Sequence, residues 1–80
     1  MKQLNVQYYA LFREQAGISE ESVTTGAATP TALYEELRER HGFKLAPEQL
    51  KVAINAEFAP WGAPLADGDT VVFIPPVAGG

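Results

Sequence analysis

Eighty residues, 46% apolar and 20% charged, make one small globular domain with a limited but real core. A net charge of −4 excludes a binder of phosphate backbones, which needs clustered Lys and Arg, and suits a partner with a basic surface. The absence of cysteine excludes disulfides, zinc–thiolate sites and a thiol nucleophile, and no stretch reads as a signal peptide or membrane span, so a cytoplasmic protein is expected, with neither nucleic acid nor membrane as partner.

The first element, QLNVQYYA, alternates in the manner of a half-buried strand, with Leu4, Val6, Tyr8 and Ala10 inward and Asn5, Gln7 and Tyr9 outward. Next comes LFREQAG, a short helical turn that Gly17 can close. The β-branched Val23, Thr24 and Thr25 in SEESVTTGA predict a second strand. In TPTALYEELRERHG, Thr29 can cap and Pro30 suits the first helical position. Leu33 and Leu37 share one helix face flanked by Tyr34, Glu36 and Arg40 form an i,i+4 pair, and Gly42 ends the helix. Phe43 or Leu45 is expected to fold back on the same core, and APEQ reads as a turn.

A third strand is expected over 50–55, with Val52 and Ile54 on one side, then a turn at Asn55-Ala56 into a very short strand around Phe58. WGAPLADGD is loop, with Asp67-Gly68-Asp69 as a tight turn. The last strand, TVVFI, is apolar on both parities and therefore belongs in the centre of a sheet, and Pro75 cannot continue its ladder. Two strands, one good helix and three more strands, without a repeat or linker, give an α+β chain. Its compact solution is the β-grasp arrangement, a mixed sheet over one main helix, with the first and last strands side by side. The domain spans 1–76, and 77–80 form a flexible tail.

No catalytic constellation stands out. His41 is the only histidine and sits at a helix C-terminus, where a cation favours the dipole, so a structural role is expected. Glu35, Glu36 and Glu39 read as a solvated helix face. Asp67-Gly68-Asp69 lacks the later glutamate of a calcium loop, no glycine pattern signals a phosphate site, and no metal site is expected. Tyr9, Phe58, Trp61 and Ile74 are apolar residues out of place in the pattern, and several of them can form one exposed patch near the C-terminus, a partner interface.

The sequence finishes PPVAGG. Pro75 and Pro76 stiffen the exit from the sheet, Val77 and Ala78 are small, and Gly79 and Gly80 carry no side chain. Four residues after Pro76 reach on the order of 13 Å. Such a tip can enter a narrow pocket on another protein and present its carboxylate, which becomes an electrophile once activated as an acyl-adenylate.

At this point the whole chain resembles the ubiquitin-like sulfur-carrier family of MoaD and ThiS proteins. YYALFREQAG matches the family's aromatic pair and short helix, VAINAEF its mid-chain strand, and PLADGDTVVFIPPVAGG its ending. The Pro-Pro step sides with the MoaD branch. The resemblance implies a sulfur carrier in molybdenum cofactor synthesis. An adenylating enzyme related to E1 enzymes (MoeB-like) would activate Gly80 with ATP and Mg, and a sulfur donor enzyme would convert it to a thiocarboxylate. The tail would then deliver sulfur to cyclic pyranopterin monophosphate inside the large subunit of molybdopterin synthase (MoaE-like), in a heterotetramer. Catalytic side chains would lie on the large subunit, and this chain would bind no cofactor of its own.

Residue by residue, the resemblance makes Gly80 the acyl position and Gly79 the neck of the tail. Tyr9, Phe58 and Ile74 become docking positions, with Pro75, Pro76, Val77 and Ala78 leading to the tip, and Arg13 a surface ion pair. The departures are Tyr9, where phenylalanine is common, and Phe58, where leucine is common. A carrier for thiamine thiazole synthesis, a modifier joined to lysines through Gly80, and a β-grasp binding module with an inert tail are the alternatives.

Overall fold

The computed structural model describes residues 1–76. The expected tail, with Val77, Ala78, Gly79 and Gly80, lies outside the described residues. The elements are β1 (Lys2–Gln7), α1 (Leu11–Ala16), β2 (Glu20–Thr25), α2 (Pro30–His41), a 3₁₀ turn (Pro47–Gln49), β3 (Lys51–Ile54), β4 (Glu57–Ala59) and β5 (Thr70–Ile74). The five strands form one sheet in the order β2-β1-β5-β3-β4. The first and last strands pair in parallel at its centre, and the other neighbours are antiparallel. This is the β-grasp arrangement that the order of elements predicts.

Helix α2 forms where its signals lie. The Thr29 hydroxyl accepts the Ala32 N–H at 3.3 Å, and Pro30 occupies the first turn, where its missing N–H costs nothing. Gly42 closes the helix in the left-handed conformation, donating to the Arg38 carbonyl. Leu33, Tyr34 and Leu37 are fully buried against Leu4, Val6, Val52, Val71 and Phe73 from the sheet. Phe43 folds back beneath the helix, with its ring centroid 4.9 Å from that of Phe12 and 6.0 Å from that of Tyr34. Leu45 packs more peripherally on the same cluster.

Asp67-Gly68-Asp69 serves as a clip between strands. Asp67 Oδ1 accepts the Gln3 N–H at 2.6 Å. Asp69 Oδ2 accepts the Ala66 N–H, and its Oδ1 accepts the Asn55 side-chain amide, both at 2.9 Å. The Asn55 side-chain oxygen, Oδ1, accepts the Thr70 N–H at 2.9 Å. One turn thus ties the start of β1, the start of β5 and the β3–β4 hairpin together, and its carboxylates are occupied by N–H donors.

A second polar cluster joins the helix to the sheet. Glu21 Oε2 accepts the Tyr8 hydroxyl at 2.5 Å and lies 2.6 Å from His41 Nε2. Arg40 approaches the other carboxylate oxygen at 3.6 Å. The Tyr8 ring packs edge-on against both His41 and Phe43. His41 is therefore structural, but its partner is a carboxylate from β2 as well as the helix dipole. Burial pushes the Glu21 carboxyl up, yet hydrogen bonds from Tyr8 and His41 and the charges of His41 and Arg40 outweigh it and hold the carboxyl below its ordinary range. Burial and the adjoining carboxylate raise the Tyr8 phenol, so it stays a donor.

Several expectations change in three dimensions. The β1 ladder ends at Gln7, and Ala10 is exposed because a turn with φ 50° diverts the chain after Tyr9. Glu36 is not simply solvated: it accepts the Thr25 hydroxyl at 2.7 Å and pairs with Arg40 at 3.7 Å. Among the described residues Arg13 pairs with no carboxylate, and it stands exposed on the short helix α1. Trp61 packs inward, stacked on Phe73 at 5.8 Å and edge-on to Tyr34 at 5.9 Å, so it leaves the proposed patch.

Glu21→Ala strips Tyr8 and His41 of their acceptor and is expected to lower stability by about 1–3 kcal/mol in urea denaturation. The folded Glu21 carboxyl binds its proton less readily than the unfolded one. Its contribution is therefore present above the ordinary value of 4.5 and is lost as pH falls through the lower folded value. Glu21→Gln should flatten that acid-side loss.

Candidate functional site

One helix covers one side of the sheet. On that side β5 places Val71 and Phe73, both fully buried. Val72 and Ile74 take the opposite parity and are only half-buried, because no layer covers them. This explains a strand that is apolar on both faces: one row is core, and the other is an open apolar surface.

The register fixes what lies beside that row. Val72 is opposite Gln7 on β1 and Ala53 on β3, and Ala53 is opposite Phe58 on β4. Ile74 is opposite Lys51. Phe58 is 74% exposed and Tyr9 53%, large apolar areas to leave in water on one surface. The Tyr9 hydroxyl donates to Gln7 Oε1 at 3.1 Å, which turns its ring along the sheet. The Lys51 ammonium stands 5.7 Å from the centre of the Phe58 ring, within cation–π range.

Two shallow depressions share this surface. One, of about 510 Å³, holds Gln7, Tyr9, Ala53, Asn55, Val72 and Ile74. The other, of about 360 Å³, holds Leu50, Lys51, Phe58, Ile74, Pro75 and Pro76. Ile74 lines both. Tyr9, Phe58, Ile74, Pro75 and Pro76 therefore come together on one surface, at the point where the chain leaves the sheet. A larger depression of about 540 Å³ lies on the helix side, by Thr31, Arg38, Pro47 and Trp61, and contains none of these five.

The sequence reading missed Val72, Ala53 and Lys51. Their signal was available: in a fold with one covering helix, the strand parity opposite the core has nothing over it. Among the described residues, no group of three His, Asp or Glu side chains is placed to share a metal ion, and no helix is long and apolar enough to cross a membrane. The chemistry that this surface supports is docking, with a slender exit for the chain beside it.

A model of the ThiS family matches residues 6–80, so the match runs from β1 through the last glycine. The chain belongs to the ThiS family. Its relatives include the molybdopterin synthase sulfur carrier subunit of Haemophilus influenzae, 34% identical, with 96% of this chain and 99% of the relative aligned. Among solved structures, a Pyrococcus furiosus protein assigned as molybdopterin converting factor subunit 1 superposes with a TM-score of 0.78 at 31% identity. That alignment covers 96% of this chain and all of the other. SAMP1 of Haloferax volcanii, at 27% identity and a TM-score of 0.76, covers 98% of this ThiS-family chain and 99% of its own.

Two phenylalanines on opposite sides of the sheet give a direct check. Phe58→Asp should change stability by no more than about 0.5 kcal/mol, as an exposed position does. Phe73→Ala empties a fully buried site and should cost about 3–5 kcal/mol. Chemical denaturation of both variants measures the contrast.

Proposed function

We propose that this chain is the sulfur carrier subunit of a molybdopterin synthase, and that its working group is the Gly80 carboxylate. The observation that carries this reading is the family match extending through Gly80, joined to full-length similarity with a relative that bears that name. The open apolar surface around Pro75 and Pro76 supports it, because a partner that takes in the tail must press against the body within the tail's reach. Four residues span on the order of 13 Å.

In this reading an E1-like enzyme of the MoeB kind binds the body through Tyr9, Phe58 and Ile74. The Gly80 carboxylate attacks the α-phosphate of Mg-bound ATP, forming an acyl-adenylate and releasing pyrophosphate. Hydrosulfide-level sulfur supplied by a donor enzyme then attacks the acyl carbon and expels AMP, leaving a thiocarboxylate with no change of oxidation state. Gly79 and Gly80 leave the carbonyl open to attack, since neither carries a side chain. The same surface next docks on the large synthase subunit, in a heterotetramer. The thiocarboxylate there passes its sulfur to cyclic pyranopterin monophosphate, and the catalytic side chains belong to the large subunit.

A second reading has one observation in its favour. The 27% identical Haloferax volcanii SAMP1 belongs to the small archaeal modifier proteins. In that reading the activated Gly80 is joined to lysines of other proteins, through the same adenylate.

Intact mass after incubation with a MoeB-type enzyme, Mg-ATP and a sulfide source tests both. A gain equal to exchange of one oxygen for one sulfur is expected, and deletion of Gly79 and Gly80 should abolish it without lowering the melting temperature. An unchanged mass, with the enzyme active on another carrier, would overturn the sulfur-carrier reading. Lysine-linked conjugates in place of transfer to the pterin would favour the modifier. Phe58→Asp should lower the yield of thiocarboxylate at limiting enzyme while leaving the fold intact.

A further inference from the structure

Three non-glycine residues among those described have positive φ: Ala10 at 50°, Asn55 at 53° and Ala56 at 71°. Asparagine tolerates this conformation, and Asn55 secures it by bonding Asp69 and Thr70 through its side chain. The two alanines have no such compensation. Ala10, with ψ −122°, occupies the position of a type II′ turn that glycine normally fills. The Phe12 N–H closes that turn by donating to the Tyr9 carbonyl at 3.1 Å. Ala56 follows Asn55 in the two-residue hairpin between β3 and β4, where the second position strongly favours glycine.

Buried anchors enforce the strain at Ala10. Tyr8 before it is held by Glu21, and Phe12 after it is fully buried between Tyr34 and Phe43. Both alanines are exposed, so their methyl groups gain no burial in the free chain. Glycine would relieve both backbones. Ala56 lines the open surface, and Ala10 is the chain neighbour of Tyr9, which lines it too. Tyr9 lies at the Ile74 end of the depression and Ala56 at the hairpin end.

We propose that the methyl groups of Ala10 and Ala56 are contact points for the large synthase subunit, at the two ends of the docking surface. This inference rests on the sulfur-carrier reading above. The tail's short reach sets the occupant: a subunit that takes Gly80 into its active site must lie against Ile74 and Pro75, and this surface continues from there to Tyr9, next to Ala10 in the chain, and to Ala56. The fitting partner surface is apolar and closely packed at both ends. Each strained residue then exchanges stability of the free chain for contact and stiffness in the complex.

The test is the double variant Ala10→Gly, Ala56→Gly in the full chain, with two readouts that move in opposite directions. The melting temperature should rise by about 4 °C or more, as relief of backbone strain does in a domain of this size. The Kd for the purified large subunit should weaken roughly fourfold for each lost methyl contact. A higher melting temperature with unchanged Kd overturns the contact role. A melting temperature that does not rise overturns the strain on which the inference stands. If the wild-type chain itself fails to bind the large subunit but is converted to a thiocarboxylate, the choice of partner is wrong. If it is not converted either, the sulfur-carrier reading falls, and the inference with it.

Discussion

The structure depends on one constraint: a single helix can cover only one side of a five-stranded sheet. Central strand β5 is apolar on both parities, yet only Val71 and Phe73 find the core beneath α2. Val72 and Ile74 are left facing outward. A chain of this size has no residues to spare for a second layer, so the uncovered row either remains a liability in water or receives a partner. The exposed rings of Tyr9 and Phe58, placed beside that row, make the second use the coherent one.

The position of the chain's exit follows from the same topology. Strand β5 lies between β1 and β3, so the exit begins at the middle of the sheet and not at an edge. Pro75 and Pro76 end the ladder there, next to Phe58 and Lys51. A docked partner thus meets the apolar surface and the start of the tail together. The clip of Asp67, Asp69 and Asn55 holds β1, β5 and the hairpin in register, and the Tyr8–Glu21–His41 cluster locks α2 to β2. On the open side Lys51 stands over Phe58, and Glu48 lines the depression by the exit.

Much of the fold was legible in local signals. Thr29, Pro30 and Gly42 bound the helix at the residues where capping chemistry predicts, and Gly17 closes the short helix in the same left-handed way. Parity identified Leu4, Val6 and Tyr8 as core and Tyr9 as the exception. The site was half legible. Tyr9, Phe58 and Ile74 broke the pattern and do share a surface. Trp61 broke it too, but it stacks on Phe73, because a loop can carry an aromatic residue back into the core without leaving a periodic trace. Val72 and Ala53 broke no pattern: an apolar residue in a central strand looks the same whether or not the layer above it exists.

By itself the sequence determined the elements, their order, the central place of the last strand and the Pro-Pro-to-Gly-Gly ending. Capping, parity and proline chemistry act over a few residues, so they can be read along the chain. Only the tertiary structure decided which apolar row is covered, where Trp61 goes, which carboxylate receives His41 and that Ala10 and Ala56 hold glycine-like backbones, one next to Tyr9 in the chain and one on the open surface. Those outcomes depend on register across strands and on how many layers the chain can build. These are sums over distant residues, and no local stretch encodes them.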